Sequence, residues 1–338
     1  MRKLVPLLVC ALLALPVVGQ TKLNGAGATF PYPIYSKWFS EYHNSHSNVE
    51  INYQSIGSGG GIRQVTEGTV DFGASDMPMT DAQLKEAEGK LKTKVLNLPT
   101  VLGADVPAYN IPGITGEVKF TPDALAGIFL GTITNWSDKA ITSVNPDLKF
   151  PNQDIVVVHR SDGSGTTFIW TDYLSKISSE WKSQVGSGTS VKWPRGLGGK
   201  GNEGVAGSIR QLPGSIGYVE LIYAVQNKIP YGSVRNAAGS FLKASLEGVT
   251  AAAASAPKMP ADFRVSITNA PGKDAYPISS FTWLLIPQKA KDPAKGKILN
   301  DFLNWMLTDG QKMTSTLDYA PLPENVAAKV KVAIKQVD

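Results

Sequence analysis

The sequence predicts an α/β fold in two lobes, joined by two strands that cross between them. Three observations predict it. The chain has 338 residues, more than one compact core usually holds, so two domains are expected. Its early part repeats one rhythm, a short strand, a Gly-rich loop and a helix, which builds a largely parallel sheet. Two apolar strand regions, 95–110 and 276–287, lie far apart in the chain, where it would leave the first lobe and return to it. The 33 Gly and 22 Pro are scattered, which reads as tight turns between short elements.

Residues 1–19 stand apart from this fold. Arg2 and Lys3 precede an apolar run over 4–18, and Gly19 follows Val17 and Val18 at a plausible cleavage point. This is the layout of a secretory signal peptide. The run is shorter than the roughly 20 residues that span a bilayer, and it contains Pro6 and Pro16, so a membrane anchor is the weaker reading. Cys10 is the only cysteine. It follows Val9 where a lipoprotein box needs a small residue, so lipid anchoring is a minor alternative. The remaining chain has no disulfide and no thiolate metal site.

The next segments can be taken in order. Residues 23–31 read as a strand, a Gly-rich turn and a helix start, with Pro31 suited to the first turn. Ile34, Tyr35, Trp38, Phe39 and Tyr42 then form an apolar stripe at helical spacing, a core face. Residues 49–53 alternate as a strand, 56–61 are a Gly-rich loop and 62–67 a helix. Residues 68–76 are a strand entering a turn, and Thr80 caps the helix after it. Residues 95–101 and 106–110 read as two apolar strands in close succession, with Pro99 and Pro107 at their ends. Residues 125–130 are a helix, 155–159 a buried strand and 168–174 another helix. A Gly-rich stretch covers 196–207. Residues 251–260 are a low-complexity surface helix or linker, and 298–307 an amphipathic helix of the first lobe. The lobes are expected over 20–98 with 270–338, and over 99–269.

Hydrophobic content of 42% and charged content of 18% are those of a globular protein. The net charge of +5 falls to +3 without the leader, and no block of like charge points to nucleic acid.

Three segments share one design, a strand followed by a loop of Gly, Ser or Thr and a helix. The loops hold ATF at 28–30, GSG at 57–59 and SGT at 164–166. A helix start has unpaired N–H groups and a positive dipole end, worth about +0.5 charge. Glycine lets the backbone approach a ligand, and Ser and Thr add hydroxyl donors. Three such starts aimed at one point make an anion site without a lysine. Any one of these loops could instead be a simple N-cap, which uses the same residues. Arg160 ends a buried strand beside the third loop, where its guanidinium can grip an oxyanion, with Asp162 to orient it. The alternative is a structural Arg–Asp pair. Asp76 ends another strand, and a carboxylate near an anion repels it unless the ligand brings a proton. Phosphate does at neutral pH and sulfate does not. Without a ligand, Asp76 reads as a turn residue.

The motifs that carry these residues, GAGATFP at 25–31, IGS at 56–58, VDFGASD at 70–76 and RSDGSGT at 160–166, resemble those of the periplasmic phosphate-binding proteins (PstS-type) of phosphate ABC transporters. Supporting stretches are NIPG at 110–113, GGKGN at 198–202, QLPGSIGYVE at 211–220 and LDYAPLP at 317–323, so the resemblance covers essentially the whole chain after the leader. It implies a type II-like periplasmic-binding-protein fold with the ligand in the cleft. It also implies a phosphate site in which Thr29, Phe30 (through its N–H), Ser58, Ser164, Gly165 and Thr166 donate. Asp76 accepts the phosphate proton, and Arg160 pairs with the anion, held by Asp162. Gly59 and His159 depart from common family residues without replacing a ligand contact. The implied partners are the permease subunits and ATPase of a phosphate importer. The chain is expected to act as a periplasmic monomer, with no enzyme activity, cofactor or metal.

Other motifs carry less. GLGGKG at 196–201 fits a dinucleotide pattern but does not follow a predicted strand, so it reads as a turn. His43, His46 and His159 form no metal-ligand cluster. Ser164 has no neighbouring base and no nucleophile-elbow context. A secreted phosphatase sharing the anion site, or a receptor for sulfate or molybdate, are the competing classes. The first needs a nucleophile with a base or metal ligands, and the second has no use for Asp76.

Overall fold

The computed structural model describes residues 20–256 and 258–338; the leader assigned to residues 1–19, with Cys10, lies outside the described residues. β1 (Thr21–Gly27), α1 (Tyr32–Ser45), β2 (Val49–Ser55), α2 (Ser58–Glu67), β3 (Phe72–Ser75) and α3 (Asp81–Leu91) follow the strand, loop and helix rhythm. β1 lies between β2 and β3 and is parallel to both. α1 buries the stripe of Ile34, Tyr35, Trp38, Phe39 and Tyr42. α3 opens on a reciprocal cap in which Gln83 N donates to Thr80 Oγ1 and Thr80 N donates to Gln83 Oε1.

β4 (Val95–Asn110) is one strand of 16 residues where the sequence predicts two. Pro99 and Pro107 fall inside it. The ladder explains why they are tolerated. Val95 to Ala104 pair with β11, and Asp105 to Asn110 pair with β8. Each half therefore has a full partner strand on one side only, and a residue without an N–H can face the other side.

The chain continues through β5 (Lys119–Phe120), α4 (Pro122–Leu130), α5 (Lys139–Thr142), β6 (Val156–Arg160), α6 (Gly165–Ile177) and α7 (Ser179–Gln184). It then forms β7 (Leu197–Gly199), α8 (Gly201–Gln211), β8 (Ser215–Glu220), α9 (Leu221–Gln226), β9 (Ser233–Arg235), β10 (Phe241–Leu242) and α10 (Leu246–Ser255). β6 is parallel to both β7 and β8, and a small separate sheet is ordered β10-β9-β5. The Gly-rich run at 196–201 is thus a strand leading to a helix and not the expected turn. Pairing of Leu197, Gly198 and Gly199 with Val158, His159 and Arg160 overrides the poor strand preference of glycine. Trp136, Trp170, Trp181 and Tyr218 are fully buried in this half.

The return is β11 (Ser279–Pro287), antiparallel to β3 and β4, followed by α11 (Pro293–Trp305), a π turn and a 3₁₀ stretch over 306–317, and α12 (Glu324–Ile334). Trp38 Nε1 donates to Gly310 O at 2.8 Å, which ties this tail to α1. The eight-stranded sheet reads β2-β1-β3-β11-β4-β8-β6-β7. Its two ends share only β4, so the α/β fold is bilobal, as the sequence predicts. The C-terminal ends of β1 and β3 from one lobe and of β6 and β7 from the other meet at the junction.

Candidate anion-binding site

The loops after β1, β2, β3 and β6 place Thr29, Phe30, Ser58, Asp76, Arg160, Ser164, Gly165 and Thr166 together, all of them buried. Contacts across the cleft define the meeting point. Gly59 N donates to Gly163 O at 2.9 Å, joining the start of α2 to the loop before α6. Gly57 has φ of +85°, and a Cβ there would run into Asp162 and Gly163, so the turn into α2 needs glycine on both counts. Gly165 sits so close to the opposite lobe that a Cβ would meet the Asp76 carboxylate and the Ser58 hydroxyl. Gly165→Ala is therefore expected to lower affinity for the ligand by ~10-fold or more, since overpacking costs ~1–3 kcal/mol. Titration of the variant checks this, and unchanged affinity would show that the lobes close less tightly.

The loop hydroxyls divide into two kinds. Ser164 is the N-cap of α6, its Oγ accepting from Thr167 N at 3.0 Å, which leaves its O–H as a donor. Ser58 does not cap α2, and Thr29 does not cap α1. Ser58 Oγ instead accepts from Asp76 N at 3.1 Å and lies 3.4 Å from Asp76 Oδ2. The N–H groups of Phe30, Ser58, Gly165 and Thr166 find no acceptor among the described residues. The last three belong to the first turns of α2 and α6, where no helical acceptor exists. Buried N–H groups of this kind are a ready anion cradle.

Arg160, at the end of β6, is clamped by Asp162: Nε donates to Oδ1 at 2.8 Å and Nη2 to Oδ2 at 2.6 Å. Nη1 donates to Thr166 Oγ1 at 3.2 Å. Of five guanidinium donors, one on each Nη stays uncommitted among the described residues. Burial opposes ionisation of Asp162, but the hydrogen bonds and charge of Arg160 outweigh it and hold its carboxyl below the usual carboxylate range.

Asp76 is fully buried. Thr282 Oγ1 donates to its Oδ1 at 2.7 Å. Burial pushes its pKa up to about 7, against the downward pull of Thr282, Arg160 and Ser58. Its proton is thus exchangeable near neutral pH. Behind the site, Asp105 and Glu220 face each other across the β4–β8 ladder, both fully buried. Burial drives both carboxyls well above their usual range, and the Asp76 charge adds to this for Asp105. The shift favours their neutral forms, which lessens the negative charge behind the anion.

Several supporting residues received no role from the sequence, although Asn202, Tyr218 and Tyr319 lie in stretches that share the family resemblance. Asn202, at the start of α8, donates through Nδ2 to Thr29 Oγ1 at 2.8 Å and to Thr166 Oγ1 at 3.1 Å. Reading 197–202 as strand and helix, not as a turn, would have pointed to it. Tyr223 Oη donates to Thr29 O at 2.6 Å and Tyr319 Oη to Phe30 O at 2.5 Å, so the first loop is held by the QLPGSIGYVE strand's sequel and by the LDYAPLP motif. Tyr218 Oη accepts from Arg160 N at 3.1 Å and is 2.6 Å from Thr167 Oγ1. Thr282 has no local signal.

Comparison with known proteins bears on this arrangement. A PBP superfamily domain matches residues 16–310. The "Phosphate-binding protein PstS" of Xylella fastidiosa (strain Temecula1 / ATCC 700964) is 48% identical over 314 residues, covering 92% of this chain and 84% of that protein. The chain belongs to the PstS family of phosphate-binding proteins. Two more distant PstS relatives agree, those of Pasteurella multocida (47% identity, 95% of this chain and 92% of that protein) and of Methanocaldococcus jannaschii (41%, 90% and 83%). Among solved structures, a high affinity periplasmic phosphate-binding protein, PfluDING, bound with phosphate, superposes with a TM-score of 0.74 at 22% identity, covering 92% of this chain and 93% of that one. The phosphate-binding protein from Stenotrophomonas maltophilia gives 0.71 at 18%, with the same coverage. At that identity the superpositions show the shared bilobal fold. The PstS resemblance read from the loop motifs is borne out across both lobes. Among the described residues of this PstS-family chain, no helix is long and apolar enough to cross a membrane.

Proposed function

We propose that this chain binds inorganic phosphate in the cleft between its two lobes and delivers it to the permease subunits of an ABC importer powered by its ATPase. The observation that carries the reading is one buried carboxylate, Asp76, set among donors. Arg160, four backbone N–H groups and the hydroxyls of Thr29, Ser58, Ser164 and Thr166 suit an anion. Once ionised, Asp76 suits only an anion that carries a proton. The lobes divide at residues 20–98 with 270–338 and at 99–269, and closure of one on the other traps the ligand and changes the face shown to the permease. The protein works as a monomer in the periplasm after removal of its signal peptide, and it binds without chemical turnover.

Titration calorimetry of the phosphate-stripped protein at neutral to mildly alkaline pH tests the reading. One-site phosphate binding without sulfate heat is expected. Sulfate binding of similar strength would make the cleft a general oxyanion receptor, and hydrolysis of a phosphomonoester would make it an enzyme. Asp76→Asn should raise sulfate affinity relative to phosphate by ~10-fold or more, because an amide can donate where the carboxylate only repels. An unchanged phosphate-to-sulfate ratio in that variant would remove Asp76 from the specificity argument.

A further inference from the structure

We propose that Asn202 is a positioning residue that turns the Thr29 and Thr166 hydroxyls into obligatory donors toward the bound anion. The inference rests on phosphate being the ligand of the cleft. Asn202 is fully buried at the first turn of α8, and every polar atom of its side chain is engaged. Its Oδ1 accepts from Glu220 N at 3.0 Å. A backbone N–H can only donate, so this bond fixes which end of the amide is oxygen and turns Nδ2 toward the cleft. The two protons on Nδ2 then serve one hydroxyl each, Thr29 Oγ1 from one lobe and Thr166 Oγ1 from the other.

Each threonine oxygen thereby has both lone pairs filled. Thr29 Oγ1 accepts from Asn202 Nδ2 at 2.8 Å and from Asn202 N at 3.3 Å. Thr166 Oγ1 accepts from Asn202 Nδ2 at 3.1 Å and from Arg160 Nη1 at 3.2 Å. A hydroxyl has two acceptor sites and one donor. With both acceptor sites taken, the only remaining role of either group is to donate. Neither O–H meets a protein acceptor among the described residues, although both residues are buried. A ligand surface made only of acceptors satisfies both, and a ligand N–H or O–H directed at them finds no lone pair. Asn202 therefore sharpens selectivity for bare oxyanion oxygens on this side of the cleft, while Asp76 takes the one protonated oxygen on the other. The same amide joins the two lobes, so this alignment exists only when they are together.

Titration with inorganic phosphate tests the proposal through variant pairs. Asn202→Ala should weaken binding ~10–100-fold, the worth of one or two hydrogen bonds to a charged group. Combined with Thr29→Val or with Thr166→Val, its loss should fall short of the product of the single losses by ~3-fold or more, because the hydroxyl through which it acts has gone. A residue that merely supported the fold would give losses that multiply. Multiplying losses in both pairs, or wild-type affinity in Asn202→Ala, would overturn the proposal. Absence of phosphate binding by the wild-type protein would instead overturn the reading on which it rests. Asn202→Asp keeps the shape if the alanine variant does not fold. Its carboxylate would draw both hydroxyls toward itself, so it should bind phosphate more weakly than Asn202→Ala, and stronger binding would also overturn the proposal.

Discussion

Replacing Arg160 with Met is expected to weaken phosphate binding by about three orders of magnitude, from the ~3–5 kcal/mol that removal of one partner from a buried charge pair costs. The side chain is 1% exposed and is the cation in direct contact with the loop hydroxyls, through Thr166. Its loss acts twice. The anion loses the two uncommitted guanidinium N–H groups, and Asp162 loses the charge that holds its carboxyl below the usual range. Asp162 still accepts from Gly201 N at 3.1 Å, so the loop keeps one tie and the fold should survive. Methionine preserves the apolar stem of arginine, which separates lost charge from lost packing. Arg160→Lys should fall between the two, because an ammonium keeps the charge but cannot hold both Asp162 oxygens and Thr166 in one plane. Calorimetry or competition with labelled phosphate measures the series. Binding by Arg160→Met within ~10-fold of wild type would mean that the helix starts alone carry the anion.

What could be read in the sequence follows the range of the interactions. The three loops were legible because each is local: a strand end, small residues and a helix start lie within a few positions. Arg160 and Asp162 were legible for the same reason, being two residues apart. Asn202 lies in the supporting GGKGN stretch, but its role was not legible, since the hydroxyl it holds most closely lies 173 residues away. Thr282 reaches Asp76 across 206 residues from a strand that reads as plain core. The run at 196–201 was misread because glycine signals a turn until a neighbouring strand supplies the ladder, and β6 supplies it. The division of β4 into two was a similar error. Pro99 and Pro107 look like strand ends in a sequence, but they are admissible inside a strand whose partner changes sides at Asp105. The choice between capping and binding could not be made from the residues either. Ser164 caps α6 and keeps its O–H free to donate, whereas Ser58 and Thr29 cap nothing, and only the hydrogen-bond partners distinguish them.

The burial of Asp76 was likewise hidden in the sequence, and it sets the pH dependence of selectivity. Burial pushes its pKa up to about 7, so the ligand-free protein holds this proton below neutrality and loses it above. Sulfate carries no proton and can be accepted only when Asp76 is protonated and donates to it. Above about pH 8, each unit of pH lowers the protonated fraction about tenfold, so sulfate affinity should fall there by ~10-fold per unit, and less steeply through neutrality. Phosphate brings its own proton to the ionised carboxylate, so its affinity should stay nearly level over the same range. The phosphate-to-sulfate ratio should therefore rise by ~15-fold between about pH 7 and about pH 8.5 and change little below about pH 6. Titrations with both anions across this range measure it. Repeating the sulfate titration in two buffers of different ionisation enthalpy should show proton uptake above neutrality. In Asp76→Asn the sulfate profile should flatten, because the amide donates at every pH. A parallel fall of both anions would place the titrating group elsewhere. A level sulfate profile in the wild-type protein would mean that Asp76 keeps its proton throughout, in which case selectivity has to come from the shape of the closed cleft and not from charge.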